Sequence, residues 1–427
     1  MKRSTLWAAI TLTMMAPVAL TGCSSDSDNE KPVPIIDPLE PPTMDLTRTE
    51  KEMVERSNEF AFNLFRVAQD KKKSQILSPI SITYALGMLN NGADGETLAQ
   101  INRVLGFSNT GADGINAFCY RMLNAAPTLD PLTKVMIANN IYVNRGYELK
   151  TDFVQKAKVY YNAEPETRDF NDGRTMDVIN QWASDHTEQM IKKVLDEDTF
   201  NPDAVSYLLN AIYFKGSWTK KFDKAMTVDD SFMCAMDEDV ERAPLNSCPM
   251  MHQTATFEYA ENDDYQALRL PYGNGSFRMT VLLPTSKANN SWTVPQVPTA
   301  EAWQQLNQKM DSTLVDVKIP RFETDTDIDL KNIMIKLGMK DAFDDVKADF
   351  RNFCNESVFI ELMKQVAKIK LDEEGAEAAA VTVIGTNVKS IGPAHEYITF
   401  NANHPFLYVI SEKKSDAVFF IGQYTGN

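Results

Sequence analysis

Few side chains in this sequence are spaced to do chemistry. The four histidines, His186, His252, His395 and His404, lie far apart and show no HExxH or HxH spacing that would seat a metal. No GxSxG elbow offers a hydrolase nucleophile. Of five cysteines, Cys23 is set apart near the N-terminus. Cys119, Cys234, Cys248 and Cys354 allow three full pairings, and the nearest two lack CxxC spacing, so free buried thiols are expected. No cofactor, no metal and no enzymatic turnover are expected. One segment stands out instead: Asp372-Glu373-Glu374-Gly375-Ala376-Glu377-Ala378-Ala379-Ala380-Val381-Thr382. Its alanines and leading acids favour a helix start. The chain then turns β-branched, and no apolar stripe gives a helix anything to bury. Such a segment suits a change of conformation. Lys389, the only Lys or Arg between Gly375 and Lys413, follows it, with Ser390 next.

The elements that must position this segment read as one mixed domain. The chain has 427 residues, 43% of them hydrophobic, with 18 Gly and 20 Pro, which excludes a collagen, a disordered polymer and a disulfide miniprotein. A net charge of −16 speaks against nucleic acid, whose phosphates need clustered Lys and Arg. Lys71-Lys72-Lys73 reads as a solvated loop. Apolar periodicity predicts helices over residues 52–69, 82–90, 94–105 and 176–194. Strands are predicted over 135–143, 204–214, 277–283, 313–320, 358–371, 406–411 and 417–424. Helices early and strands late argue for α+β.

The N-terminus reads as an address. Lys2 and Arg3 precede an uncharged apolar run over 6–20, too short to span a bilayer and right for a signal core. It ends Leu20-Thr21-Gly22-Cys23, which resembles a bacterial lipoprotein box. Residues 1–22 are therefore expected to be a signal peptide, with Cys23 lipidated. Residues 23–50, rich in Pro and acids, are expected to be a tether, and 51–427 the folded domain. Asp26, Asp28 and Glu30 resemble an outer-face export signal, so the expected place is the cell envelope, facing outward.

The body resembles the serpin family. Asn210-Ala211-Ile212-Tyr213-Phe214-Lys215-Gly216-Ser217-Trp218, then Phe222, looks like the family's NxIYFKGxWxxxF segment. FNANHPFLYVI over 400–410 is similar to its C-terminal signature. Ser78-Pro79-Ile80-Ser81-Ile82, the GADGET run over 92–97, NNIY over 139–142, Leu270-Pro271-Tyr272 and Pro320-Arg321-Phe322 follow in the family order. The resemblance covers residues 52–427. It implies a single α+β domain of three sheets and eight or nine helices, with an exposed reactive-centre loop.

The same resemblance implies a function. Residues 373–382 match the hinge of the loop, which inserts as a strand of the main sheet after proteolysis. Side chains alternate along a strand, so Ala376, Ala378, Ala380 and Thr382 would share the inward face. All are small enough to slide between packed strands, while Glu377 and Ala379 would face out. Gly375 gives the pivot its freedom. Counting from Gly375 puts the scissile bond at Lys389-Ser390, with Val388 as the other choice. A Lys before the cut suits a trypsin-like serine protease, whose specificity pocket carries an acid. Elastase-like or cysteine proteases are the broader targets, and a monomer is the expected state. Ser78, Ser81 and Asn210 match a family cluster that gates sheet opening, with Gln365 where the family has His and Trp218 under the loop. The other class considered is a noninhibitory serpin acting as carrier, binding module or chaperone. Its members tend to carry bulky, charged or Pro residues in the hinge.

Overall fold

Local signals set the helix starts. Thr47 and Glu50 form a capping box at the head of α1 (Arg48–Ala68). Ser78 caps α2 (Pro79–Asn90), with Pro79 at its first position. Asp94 caps α3 (Gly95–Leu105), which Gly106 stops in the left-handed conformation. The other helices are α4 (Ala112–Leu129), α5 (Thr151–Tyr161), α6 (Thr175–His186), α7 (Ala300–Gln308) and α8 (Lys331–Leu337). The strands are β1 (Gln75–Leu77), β2 (Thr133–Asn144), β3 (Glu166–Arg168), β4 (Ser206–Ser217), β5 (Val228–Met233), β6 (Leu245–Glu261), β7 (Tyr265–Tyr272) and β8 (Phe277–Pro284). They continue with β9 (Asp311–Pro320), β10 (Phe322–Asp329), β11 (Leu362–Asp372), β12 (Gly375–Ala376), β13 (Ile398–Asn401), β14 (Phe406–Glu412) and β15 (Val418–Tyr424). This is a computed structural model. It describes residues 42–235, 245–285, 295–376 and 397–426. All of them belong to one compact unit, Pro41–Asn427.

The strands form two continuous ladders. One runs β1-β15-β14-β8-β7-β6-β9-β13, with β5 on β6. The long β6 joins what would otherwise be two sheets: its first half pairs β5, its middle pairs β9 and its end pairs β7. The other ladder runs β10-β11-β12-β4-β2-β3 and has cores on both faces. Leu208, Ile212 and Phe214 of β4 pack toward α1, α2 and the larger sheet. Tyr207, Leu209 and Ala211 alternate to the face covered by α6 and Ile191, Val194 and Leu195. Every residue of α2 is buried, as a helix apolar on all sides must be.

One predicted helix is corrected. The pattern over 176–194 suggests a single helix, but α6 ends at His186. Glu188 and Gln189 take positive φ of 49° and 65°, which breaks the helix. The Thr187 hydroxyl donates to Ala183 O at 2.7 Å and accepts from Ile191 N at 3.1 Å, fixing the bend. The apolar residues beyond it lie flat on the sheet instead of continuing a helical stripe.

Candidate functional site

The site is a seam between β4 and β11. These strands run parallel and pair from Leu362 with Tyr207 to Lys368 with Tyr213. Beyond that point they part, and the two-residue β12 fills the gap. Gly375 and Ala376 pair antiparallel with Asp372 and Leu371 on one side and with Ser217 and Gly216 on the other. Ala376 is fully buried in the core.

Gly375 is required by geometry. Its φ is +136°, and an added Cβ would lie 2.1 Å from Gly216 O and 2.7 Å from Trp218 N. Both neighbours are backbone and cannot swing away. The turn before it is held by Asp372, whose carboxylate accepts from Glu374 N at 2.9 Å. Trp218 is stacked on Tyr272 with ring centroids 4.4 Å apart. Its indole N–H donates to Asp372 O at 2.9 Å, and its backbone N–H donates to Glu374 O at 2.8 Å. Phe222 N donates to Glu373 O at 3.0 Å.

Two acids anchor the turn by different means. The Glu373 side chain is 2% exposed and accepts from Arg321 and, at 2.7 Å, from the Thr227 hydroxyl. Burial pushes its carboxyl up, but the donors Arg321 and Thr227 and the Arg321 charge outweigh this and hold it below its ordinary value. Glu374 meets Lys221 at 2.5 Å and Lys224 at 3.4 Å near the surface. The Lys221 hydrogen bond leads in holding that carboxyl low.

A polar row crosses the seam one level down. Asn139 on β2, Asn210 on β4 and Gln365 on β11 are register partners. The Asn210 amide donates to Asn139 Oδ1 at 2.5 Å and to the Ser81 hydroxyl. Gln365 donates to Asn210 Oδ1 at 2.5 Å and to Ser78 O at 3.1 Å, and accepts from Ser78 N at 2.9 Å. Ser78 Oγ donates to Phe419 O at 2.8 Å and caps Ser81 N. All five side chains are buried. The row therefore ties both edges of β4 to the start of α2.

The structure brings Ser78, Ser81, Asn210 and Gln365 into one cluster and sets Trp218 under the turn at Glu373, Glu374, Gly375 and Ala376. Glu377, Ala378, Ala379, Ala380, Val381, Thr382, Lys389 and Ser390 lie outside the described residues, as does Cys23. Sequence reasoning missed Asn139 as a member of the row and Arg321, Thr227, Lys221 and Lys224 as anchors. Asn139 and Arg321 sit inside motifs that were visible; the others carry no local signal. Cys119, Cys234, Cys248 and Cys354 are free and buried. Burial pushes Cys119 up to about 12 and Cys248 and Cys354 up to about 11, which makes them poor thiolates. Among the described residues no group of three or more His, Cys, Asp or Glu could hold a metal ion.

A two-residue strand entering the end of a parallel seam is the deciding geometry, and comparisons with known proteins agree with it. The profile of the family described as "Serpin (serine protease inhibitor)" matches residues 55–426. The chain belongs to the serpin family. Human Serpin B3 is 31% identical over 395 residues, covering 87% of this chain and 98% of that protein. The native state of tengpin, a thermophilic serpin, matches with a TM-score of 0.80 at 26% identity, over 90% of this chain and 96% of that one. Human thyroxine-binding globulin matches with a TM-score of 0.77 at 23% identity, over 88% and 98%, which speaks for the fold alone. The serpin fold, mixed α+β with eight α-helices among the described residues, is thus established. Its family is one of protease inhibitors rather than of catalysts.

Proposed function

We propose that this serpin is inhibitory and traps trypsin-like serine proteases as a covalent acyl-enzyme. The protease serine attacks the Lys389 carbonyl, an ester forms, and the amine of Ser390 leaves. Freed at that end, the loop extends β12 down the seam between β4 and β11. About 14 residues at ~3.3 Å each carry the tethered protease on the order of 45 Å. If insertion outruns deacylation the ester persists; if not, the chain is only a substrate.

The observation that carries this reading is β12 itself. Gly375 and Ala376 already hydrogen-bond to both neighbours in the antiparallel sense. Extending them exchanges one parallel ladder for two antiparallel ones, and antiparallel pairing is slightly stronger per residue. Ala378, Ala380 and Thr382 follow Ala376 in the sequence at every second residue, so on an inserted strand they would share its inward face, and they are small enough to enter a packed core. Besides the parallel β4–β11 ladder, the side-chain hydrogen bonds that must yield are those of Gln365 with Asn210 and Ser78. These side-chain bonds are direct and few, which suits a latch on the ladder.

Residues 41–50, expected in the tether, belong to the folded unit, where Met44 is buried and Thr47 caps α1; we further propose that Cys23 is lipidated and that residues 24–40 tether the domain to the outer face of a bacterial envelope. There it would meet proteases of a host or neighbour. A Cys23→Ala variant that remained membrane-bound would refute the anchor without touching the trap.

The test of the trap is to mix the chain, in slight excess, with trypsin and run denaturing gels and mass spectrometry. A band near the summed masses, with a released peptide beginning at Ser390, is expected. Cleavage without a complex points to the noninhibitory class. A complex whose peptide begins at Lys389 moves the bond to Val388.

A further inference from the structure

The open end of the seam has a neighbour besides β11 and β12. Gly216 and Ser217, the last residues of β4, pair with Ala376 and Gly375 on one edge, and Gly216 pairs with Thr133 of β2 on the other. The turn between β7 and β8 closes over the end of the strand. Gly273 N donates to Ser217 O at 2.6 Å, Thr219 N donates to Pro271 O at 2.9 Å, and the Thr219 hydroxyl donates to Gly273 O at 2.9 Å. Trp218 and Tyr272 form an isolated bridge between the same two segments. The mouth of the seam is therefore placed by this turn.

One buried side chain reaches both the turn and β2. Asp130, 1% exposed, follows α4 at the corner that leads into β2. Its Oδ1 accepts from Leu132 N at 3.0 Å, and its Oδ2 accepts from the Thr133 hydroxyl at 2.6 Å and from Asn274 N at 3.4 Å. Gly273 has a φ of +49°, and a Cβ added there would lie 1.8 Å from that Oδ2. Only a residue without a side chain lets the carboxyl sit against the backbone of the turn. The Thr133 oxygen that Asp130 holds lies 3.2 Å from the place of a Cβ on Gly216, so β2 and β4 also meet closely here. Capping the corner needs only the bonds from Leu132 and Thr133. The bond from Asn274 and the bare backbone of Gly273 tie the same carboxyl to the end of β4.

We propose that Asp130 is a positioning residue for loop insertion: it fixes the β7–β8 turn against β2, and through that turn the end of β4 that receives Gly375 and Ala376. It acts through Gly273 and Ser217. This role rests on the reading of β12 as the start of an inserting strand.

The test is hydrogen exchange, read by mass spectrometry on the full chain, of wild type against Asp130→Ala. Amides of residues 372–376 should exchange about tenfold faster in the variant, the effect of losing one or two net hydrogen bonds of support. Amides around Asn139 and Asn210 should keep wild-type protection. Thr133→Val keeps the shape, removes one donor to Asp130 and should give a few-fold effect in the same peptide; it decides if Asp130→Ala does not fold. Equal acceleration in every peptide would make Asp130 a corner cap alone and overturn the proposal, as would unchanged exchange at 372–376. With trypsin, Asp130→Ala should yield more cleaved chain per covalent complex than wild type, because insertion then starts from a frayed β12. An unchanged ratio would overturn the link to insertion. A wild type that forms no complex refutes the inhibitory reading instead, and the exchange result still decides whether Asp130 places β12.

Discussion

Strand β4 has two edges, and they are joined in different ways. On one side it meets β2 in an antiparallel ladder unbroken from Thr133 opposite Gly216 to Val143 opposite Ser206. On the other it meets β11 in a parallel ladder that stops at Lys368 and gives way to β12. The first edge has no interruption where a strand could begin. The second is already opened at one end, and Trp218, Gly375 and the two glutamates shape that opening. The same strand, with the same residues, is a fixed wall on one side and a seam on the other. What differs is strand direction and the wedge, not hydrophobicity.

Breaking the seam at its inward face should have the largest effect. In Ala380→Glu a carboxylate would have to enter the core as the loop inserts, unpaired and desolvated. Covalent complex with trypsin should disappear while cleavage at Lys389 continues, as seen on a denaturing gel. Persistence of full complex would mean that residue 380 never enters the sheet. Next comes Gln365→Leu, which orphans the buried Ser78 N–H and Asn210 Oδ1 at about 1–3 kcal/mol each. Its apparent unfolding midpoint should fall, and inhibitory activity should decay on warming as the gate opens unprompted. Asn139→Ala sits on the other edge of β4 and leaves Asn210 bound to Ser81 and Gln365. It should destabilise by about 1 kcal/mol without that decay. Equal decay in both variants would erase the distinction between the edges.

How much of this was legible beforehand follows from contact range. Helix starts at Thr47, Ser78 and Asp94 and the stop at Gly106 are written in neighbouring residues; the Asp94 start and the end at Leu105 read correctly from sequence, while α1 and α2 begin four and three residues before their predicted starts at 52 and 82. The false continuation past His186 arose because apolar spacing is the same for a helix and for a strap lying on a sheet; only the positive φ at Glu188 and Gln189 separates them. The seam cluster was reachable through motif strings that resemble the family. Its anchors were not. Glu373 meets Arg321 across 52 residues and Thr227 across 146, and Glu374 meets Lys221 across 153. No local period encodes such pairs.

The acids at the turn sharpen the comparison through pH. Glu373 titrates below its ordinary value in the folded chain, so folding favours the ionised form. That stability is fully present above the unfolded carboxyl's pKa, roughly 4.3, and is lost as pH falls through the lower folded value. Wild-type thermal midpoints should therefore drop on acidification below about pH 4.5 more steeply than those of Glu373→Gln. Parallel acid profiles would mean that Glu373 is not ionised against Arg321.

Lys221→Gln should have the smallest effect, and the reason lies in exposure. Its partner Glu374 sits one residue from Glu373, yet both members of the pair are about a quarter exposed and a second cation, Lys224, stands at 3.4 Å. Screened pairs of this kind contribute about 0–1 kcal/mol, and Lys224 retains part of that when Lys221 is gone. The variant should shift the unfolding midpoint slightly at low salt and by nothing measurable near 0.5 M NaCl, where the Debye length is about 4 Å. Its complex yield with trypsin should match wild type. A large loss at any salt would show that Glu374, and not buried Glu373, is what holds β12 in the seam.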